Sequence, residues 1–281
     1  MNQPDPRYAG LIHAAHVAGE HALAVYGATL LIAIISVLGA WWLVHRYGLP
    51  REKGGAAGVR GFSPRILLVF HLMVCFAIIV GAAALFAAIA DEIGDGETLG
   101  YVDQAFADGI AEGVPIDVIR LFARVTHLGD PWLLTLWCVF GAALLALRGK
   151  RAIAIGFVIA IAGNGVLNTT LKRIFERVRP VHDREISTAD GWSFPSGHAS
   201  GSLVTYGMIA YVLVTVMPLR WRLPAVILAT VIAVTTASSR VFLRVHFASD
   251  VLAGCASGMA WLTACIVSIE LTRRYWRTRQ G

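Results

Sequence analysis

Residues 66–90 read ILLVFHLMVCFAIIVGAAALFAAIA, a run that contains no Asp, Glu, Lys or Arg. A helix needs about 20 consecutive apolar residues to cross a hydrocarbon core about 30 Å thick. The run is long enough to do so, and no proline interrupts it. We predict a transmembrane helix at this position.

The rest of the chain contains six more apolar runs of comparable character. They lie at residues 24–45, 131–147, 152–171, 198–217, 223–239 and 248–270. Two of these runs are short, so counts of six or eight spans are also compatible with the sequence. With 57% hydrophobic and 15% charged residues, the chain has too little polar surface for a water-soluble globule. The predicted fold class is all-α, a polytopic transmembrane helical bundle.

The distribution of basic residues predicts how the spans are oriented. Lys and Arg in short loops mark the cytoplasmic side of a membrane protein. More than half of the 24 Lys and Arg residues lie in four segments that a seven-span topology places on one side. These segments are residues 46–65, 148–151, 218–222 and 271–281. The N-terminus is then expected outside the cell and the C-terminus inside.

The loop at residues 91–130 has the opposite character and is predicted to be external. It is rich in Asp and Glu, with only Arg120 and Arg124 as basic residues. Apolar residues recur with helical spacing from Val102 to Val125, with a break at Pro115. We predict two short amphipathic helices along the membrane surface.

Two basic clusters depart from this charge bias, because they lie at span ends on the predicted external side, where few Lys and Arg residues are expected. They consist of Lys172, Arg173, Arg177, Arg179, Arg184, Arg240 and Arg244. Cations next to membrane-embedded helices are more often functional than decorative, and an anion is their natural partner. Within the clusters we interpret Arg173, Arg177, Arg184 and Arg244 as a solvated face or a lipid-headgroup contact rather than as catalytic residues.

Three short segments at span ends contain the residues that indicate chemistry. The first runs from Lys172 to Arg179-Pro180, and the second is Pro195-Ser-Gly-His198. The third begins with Ser239-Arg240 and continues through His246 to Asp250. All three are expected on the external side of the membrane.

The cations and the Ser-Gly turn are suited to holding a phosphoryl group. Phosphoryl transfer places charge on the equatorial oxygens, so catalysis depends mainly on positioning and electrostatic stabilisation. Lys172, Arg179 and Arg240 can supply that stabilisation without Mg²⁺. Ser196 and Gly197 directly precede an apolar helix, whose N-terminal N–H groups bind anions.

The two histidines and the aspartate suggest nucleophilic catalysis. His246 and Asp250 are four residues apart and would share one face of a helix. Asp250 could then fix the tautomer of His246 and leave its other nitrogen free to attack phosphorus. His198 would protonate the leaving oxygen and later activate water.

In this order and spacing, the three segments resemble the signature of the type 2 phosphatidate phosphatase superfamily, also called acid phosphatase/vanadium haloperoxidase-like. That signature is Lys, six residues, Arg-Pro; then Pro-Ser-Gly-His; then Ser-Arg, five residues, His, three residues, Asp, and every position matches. The resemblance implies nucleophilic attack by His246, acid/base catalysis by His198 and orientation of the nucleophile by Asp250. It implies phosphate binding by Lys172, Arg179, Ser196, Gly197 and Arg240.

The resemblance also implies a domain organisation. Its membrane-bound branch has a six-span phosphatase core, which we place at residues 66–270. Residues 1–65 would be an N-terminal segment with one extra span and a basic cytoplasmic loop, and residues 271–281 a basic cytoplasmic tail. The extra span has no basic leader or cleavage site, so we expect a retained anchor rather than a signal peptide. No cofactor or metal is expected, because Lys172, Arg179 and Arg240 can stabilise the phosphoryl group without one. His13 and His16 lack a third ligand and are not interpreted as a metal site.

The expected function is metal-independent hydrolysis of a phosphate monoester or diphosphate on a membrane lipid, through a phosphohistidine. Candidate substrates are undecaprenyl diphosphate, phosphatidylglycerol phosphate, phosphatidate and lipid A phosphates, reached from the outer face of a bacterial inner membrane. Two alternatives stay open: a lipid phosphotransferase with the same intermediate, and a non-catalytic phospholipid-binding or transport protein. The bilayer and its lipid phosphates are the expected partners and nucleic acid is not. A homodimer is neither supported nor excluded.

Overall fold

The computed structural model describes residues 6–47, 64–93, 98–180 and 190–280, and every regular element within these ranges is a helix. Short 3₁₀ turns occur at Pro6–Tyr8 and Thr126–Gly129. The α-helices are α1 (Ala9–Glu20), α2 (Ala22–Tyr47), α3 (Pro64–Asp91), α4 (Thr98–Gly113), α5 (Ile116–Val125), α6 (Pro131–Leu147), α7 (Arg151–Phe175), α8 (Gly197–Val216), α9 (Leu219–Phe242) and α10 (Ala248–Gln280).

Within the described residues, seven helical stretches are long and apolar enough to cross a membrane. They are Ala22–Arg46, Leu68–Asp91, Ile116–Leu147, Arg151–Phe175, Gly197–Val216, Leu219–Phe242 and Ala248–Tyr275. Their outer faces carry exposed apolar side chains, for example Met73 and Phe76 on α3, as expected for a surface that faces lipid. The predicted fold class and the count of seven spans are therefore confirmed. The third stretch is longer than the predicted run because it includes α5 and the 3₁₀ turn as well as α6, although the extended backbone of Asp130 separates the turn from α6.

The acidic segment forms the two predicted short helices. α4 ends at Gly113 and α5 begins at Ile116, so the break falls at Pro115, which has no N–H to continue a helix. Both helices have a buried face. α4 packs along α1, which is not predicted from the sequence.

The last three helices form the centre of the bundle. α8 packs against α9 and α10, and α10 also contacts α3 and α7. Phe157, Val204 and Met208 are fully buried between these helices. α10 lies so close to the start of α8 that a Cβ added at Gly254 would approach the carbonyl oxygen of Ser196 to 2.6 Å. A side chain at position 254 would therefore displace the Ser-Gly turn.

The extra N-terminal span, α2, packs on the core. The Tyr26 hydroxyl lies 2.8 Å from Thr235 Oγ1 of α9. The Tyr26 ring meets Phe122 and Phe242 edge-on, and those two rings stack with centroids 4.0 Å apart. The basic loop predicted after this span falls largely on residues 48–63, which lie outside the described residues.

The direction of the last four helices brings the three predicted segments together. α7 and α9 end, and α8 and α10 begin, at the same end of the bundle. α4 and the turn Thr126–Gly129 contact the same region. Residues far apart in the sequence therefore meet at this end.

Candidate active site

His246 lies in the short connection between α9 and α10 and is only 3% exposed. Its Nδ1 lies 3.4 Å from Asp250 Oδ2, and Arg179 Nη1 donates to its Nε2 at 3.1 Å. Burial lowers the pKa of His246 to about 3, so the imidazole is neutral near pH 7. With the Nδ1–H directed at Asp250, the lone pair of Nε2 points toward the cationic side of the site.

Asp250 lies in the first turn of α10 and is fully buried. Its Oδ2 accepts hydrogen bonds from the Phe247 N–H at 3.0 Å and from the Ser193 hydroxyl. Asp250 contacts His246 as predicted, but the two residues do not share a helix face. α10 begins at Ala248, so His246 lies outside the helix and the loop rather than a shared helix face brings the two side chains together.

Arg177 holds the other oxygen of Asp250, and our interpretation of this arginine as a solvated or headgroup-binding residue is wrong. Its Nη1 donates to Asp250 Oδ1 and to Ser249 Oγ, both at 2.7 Å, and its Nη2 donates to Asp103 Oδ2 at 2.9 Å. The Arg177 and Asp103 side chains are 10% and 4% exposed. Burial raises the pKa of Asp103, although Ser249 and Arg177 favour its charged form. A buried chain of charges therefore connects α4 to the carboxylate beside His246.

The position of Arg177 follows from the course of the chain after α7. α7 ends in a left-handed residue, Glu176, after which the chain no longer follows helical spacing. In extended chain, residues two apart face the same side. Arg177 and Arg179 are two positions apart, and Arg177 contacts Asp250 while Arg179 contacts His246.

Lys172 and Arg179 both bind the segment that precedes the Ser-Gly turn. Lys172 Nζ donates to the carbonyl oxygens of Trp192 and Ser193. Arg179 donates to carbonyl oxygens within residues 190–192 and, at 2.6 Å, to that of Val245. Burial lowers the pKa of Arg179 from its usual high value. These two cations thus position the loop, and Arg179 also contacts His246.

Ser196 and Gly197 begin α8 as predicted. Ser196 is the N-cap residue: its hydroxyl accepts from the Ala199 N–H at 3.5 Å, and its own N–H donates to the Asp250 carbonyl oxygen at 3.0 Å. A Cβ added at Gly197 would lie 3.0 Å from Asn168 Oδ1. Glycine therefore allows α7 to approach the first turn of α8 closely.

His198 and Arg240 face the site from α8 and α9. His198 Nε2 lies 3.1 Å from Asp130 Oδ1, a contact that is not predicted from the sequence. Arg240 is buried, and its Nη1 donates to Thr126 Oγ1 at 2.9 Å. Among the described residues, the Arg240 Nε–H has no hydrogen-bond partner. A buried guanidinium donor of this kind is suited to an anionic ligand.

A cavity of about 890 Å³ joins most of the predicted residues. Its lining includes Lys172, Arg179, Gly197, His198, Arg240 and His246. Ser196 and Asp250 are fully buried and lie behind this lining. The structure therefore brings all eight predicted residues together, six of them at the cavity surface.

A second group of ligand-type side chains lies on α1 and α4. The potential ligand atoms of His16, Glu20 and Glu112 lie within 4.8 Å of one another. This group does not include His13; Glu20 follows His16 by one turn on α1, and Glu112 joins them through the packing of α1 on α4. All three side chains are partly or largely exposed, as in many ordinary surface ion pairs.

The fold and the cavity define a polytopic membrane protein with a cation-lined site, and comparison with known proteins gives its family. The PAP2 superfamily model matches residues 153–274. Phosphatidylglycerophosphatase B of Bacillus subtilis is 37% identical over 148 residues, which are 50% of this chain and 70% of that protein. The undecaprenyl-diphosphatase of Sulfolobus acidocaldarius is 34% identical over 142 residues, 48% of this chain and 64% of that protein.

A solved structure agrees with the sequence comparisons. The crystal structure of the transmembrane PAP2-type phosphatidylglycerolphosphate phosphatase from Bacillus subtilis superposes with a TM-score of 0.63 and 29% identity, covering 69% of this chain and 96% of that chain. The chain belongs to the PAP2 superfamily. The predictions of the family and of a lipid phosphate phosphatase are confirmed.

Proposed function

We propose that this phosphatase hydrolyses a phosphate monoester or diphosphate on a membrane lipid, with His246 as nucleophile and a phosphohistidine intermediate. The observation that best supports a lipid substrate is the shape of the cavity. One end contains Lys172, Arg179 and Arg240, and the other continues between α6 and α7. A phosphate and the apolar body to which it is attached can therefore occupy one continuous space.

The apolar part of the cavity faces the bilayer. Leu134 and Val139 of α6 and Ile161 and Val166 of α7 line it. Val139 and Val166 are 63% and 68% exposed, so the lining continues onto the surface that faces lipid. A lipid can diffuse laterally into such an opening and keep its chains in the hydrocarbon.

The proposed reaction has two balanced steps. The Nε2 lone pair of His246 attacks phosphorus while the bond to the lipid oxygen breaks, and His198 gives that oxygen a proton. Water then attacks the phosphohistidine and transfers a proton to His198, the P–N bond breaks, and phosphate leaves. Asp250 holds the Nδ1–H of His246 throughout, and the three cations stabilise the equatorial oxygens.

The proposed orientation places the active site outside a bacterial inner membrane. At the opposite end of the bundle, Arg148, Lys150 and Arg151 join α6 to α7, and Arg220 and Arg222 lie at the start of α9. The acidic helix α4 lies at the active-site end. This asymmetry supports an external site by the positive-inside rule.

A substrate panel in detergent with EDTA tests the proposed function. The panel contains phosphatidylglycerol phosphate, undecaprenyl diphosphate, phosphatidate and glycerol phosphate, and inorganic phosphate release is measured. We expect at least one long-chain lipid to exceed glycerol phosphate in kcat/KM by roughly 10-fold or more, because each buried CH₂ contributes about 0.8 kcal/mol. Equal use of glycerol phosphate, loss of activity in EDTA, or transfer of labelled phosphate to a second lipid would contradict metal-independent lipid hydrolysis.

Closing the apolar part of the cavity should affect lipids selectively. Gly165 lines the cavity, and no atom lies within 4 Å of a Cβ added there. We expect Gly165→Leu to lower kcat/KM for the preferred lipid about 10-fold or more and to leave p-nitrophenyl phosphate hydrolysis nearly unchanged.

Gly81→Leu is the matched control for this substitution. Gly81 is an exposed glycine within α3 with the same open surroundings, but it does not line the cavity. Gly81→Leu should leave both activities near those of the unmodified enzyme. Equal losses with both substrates in Gly165→Leu would contradict a lipid-binding role for this part of the cavity.

A further inference from the structure

Both histidines of the site have a carboxylate partner, although only one such pair was predicted. Asp130 lies between the 3₁₀ turn Thr126–Gly129 and α6, and its Oδ1 is 3.1 Å from His198 Nε2. Its Oδ2 lies 2.8 Å from His127 Nδ1 and accepts a hydrogen bond from Trp132 Nε1 at 3.2 Å. The Asp130 carboxylate is thus fixed on both oxygens.

The turn that carries Asp130 is itself fixed against the catalytic helices. Arg240 of α9 donates to Thr126 at one end of the turn, and the Tyr206 hydroxyl of α8 donates to the Leu128 carbonyl oxygen at 2.8 Å. A Cβ added at Gly129 would lie 2.8 Å from His198 Cδ2. The close approach of the turn to His198 therefore depends on a glycine next to the aspartate.

The side chain of Asp130 makes no helix-capping hydrogen bond, although it occupies the N-cap position of α6. The ordinary role of an aspartate before a helix therefore does not account for its orientation. Its contacts are instead with His198 and with the two donors on its other oxygen.

We propose that Asp130 is a positioning residue for His198: it accepts the Nε2–H, fixes the tautomer, and stabilises the imidazolium from which Nδ1 delivers the proton to the leaving oxygen. This inference rests on the proposed acid/base role of His198. The basic residues Lys172, Arg179 and Arg240 line the same cavity as His198 and oppose a positive charge on the imidazole. Asp130 offsets that repulsion from the Nε2 side of the ring, whereas the proton is transferred from Nδ1. Asp250 orients His246 in the same manner on the other side of the site.

Two substrates with different leaving groups distinguish a positioning role of Asp130 from a merely structural one. The alkoxide of a lipid phosphate needs a proton to leave, whereas p-nitrophenolate does not. For both substrates kcat/KM reports the steps up to release of the leaving group, before water attacks the phosphohistidine. General acid catalysis typically raises the reaction rate 10²- to 10⁴-fold. Loss of Asp130, which only supports the general acid, is expected to remove part of that rate increase.

The experiment compares Asp130→Asn, Asp130→Glu and His198→Ala on the preferred lipid phosphate and on p-nitrophenyl phosphate. We expect Asp130→Asn to lower kcat/KM for the lipid roughly 10- to 100-fold and that for p-nitrophenyl phosphate less than about 3-fold. Asp130→Glu should recover part of the lipid activity. In the His198→Ala background, Asp130→Asn should cause no further loss, because its effect acts through that histidine. Retained p-nitrophenyl phosphate activity also reports that the variant is folded.

Equal losses of Asp130→Asn on the two substrates, no loss on either, or an additional loss in the His198→Ala background would each overturn the inference. These results differ from a failure of the proposed function. In that case His198→Ala itself would show no dependence on the leaving group, or the unmodified chain would hydrolyse neither substrate.

Discussion

Replacement of His246 with alanine is expected to reduce lipid phosphate hydrolysis at least roughly 1,000-fold, because the reaction would lose the atom that forms the proposed covalent intermediate. The nitrogen facing Arg179 is the proposed nucleophile. The second histidine in the described cavity lining, His198, is bound to Asp130 through its Nε2. Rapid quenching of the unmodified enzyme with ³²P-labelled lipid should trap a base-stable, acid-labile label. The same experiment on His246→Ala should trap none.

His127→Ala is the control for this substitution. His127 lies near the site, but its side chain is 68% exposed. It contacts Asp130 Oδ2, whereas His198 contacts Oδ1. We expect this variant to form the labelled intermediate. Normal lipid hydrolysis by His246→Ala, or a trapped label in that variant, would contradict the mechanism.

His246 should also contribute a pH dependence to stability. Burial lowers its pKa from 6.5 to about 3, so between these values the unfolded chain binds a proton that the folded chain does not. Stability from this residue is therefore present above about pH 6.5 and is lost as the pH falls toward 3. Thermal unfolding of His246→Ala in detergent should depend less steeply on pH across this window.

The spans and the predicted site could be read from the sequence because their signals are local. An apolar run indicates a span wherever it occurs, and each of the three motifs lies at the end of one. The antiparallel course of α7 to α10 then brings those ends together. His198 and His246 therefore meet without any detailed knowledge of loop structure.

Asp130 and Asp103 were missed because their partners are distant in the sequence. The contact of Asp130 with His198 spans 68 positions, and that of Asp103 with Arg177 spans 74. Within an acidic segment neither residue stands out by composition. Asp103 nevertheless carried a signal: with Ala107 and Ile110 it lies on the buried face of α4, and an acidic residue in register with an apolar stripe requires a partner.

Asp103→Asn is expected to lower both stability and activity, because Asp103 holds the arginine that holds Asp250. Removing one partner of a buried ion pair typically costs about 3–5 kcal/mol when the other charge is left without a partner. Arg177 would keep Asp250 as a partner, so we expect a smaller loss of stability. Arg177 is 10% exposed and its guanidinium bridges two carboxylates. We expect a lower midpoint of thermal inactivation in detergent and a fall of roughly 10-fold in kcat.

Asp108→Asn provides the control on the same helix. Asp108 is exposed, and its carboxylate accepts a hydrogen bond from Gln104, so this substitution should change stability by less than about 0.5 kcal/mol. If Asp103→Asn behaved like Asp108→Asn, the buried network would not position Asp250. A loss of stability with unchanged kcat would make Asp103 an anchor for α4 alone.

The Arg177→Lys variant tests whether Arg177 links Asp103 to Asp250 as one network or makes two independent contacts. A lysine carries the same charge but has no planar fork, so it cannot reach Asp103, Ser249 and Asp250 in one geometry. We expect this variant to lose activity to a similar extent as Asp103→Asn, and the double variant to lose less than the product of the two single effects. Independent, multiplicative losses would contradict a single network. Coupled losses would mean that α4 and the connection after α7 both act on His246 through the same guanidinium. Displacement of α4 would then change the position of His246.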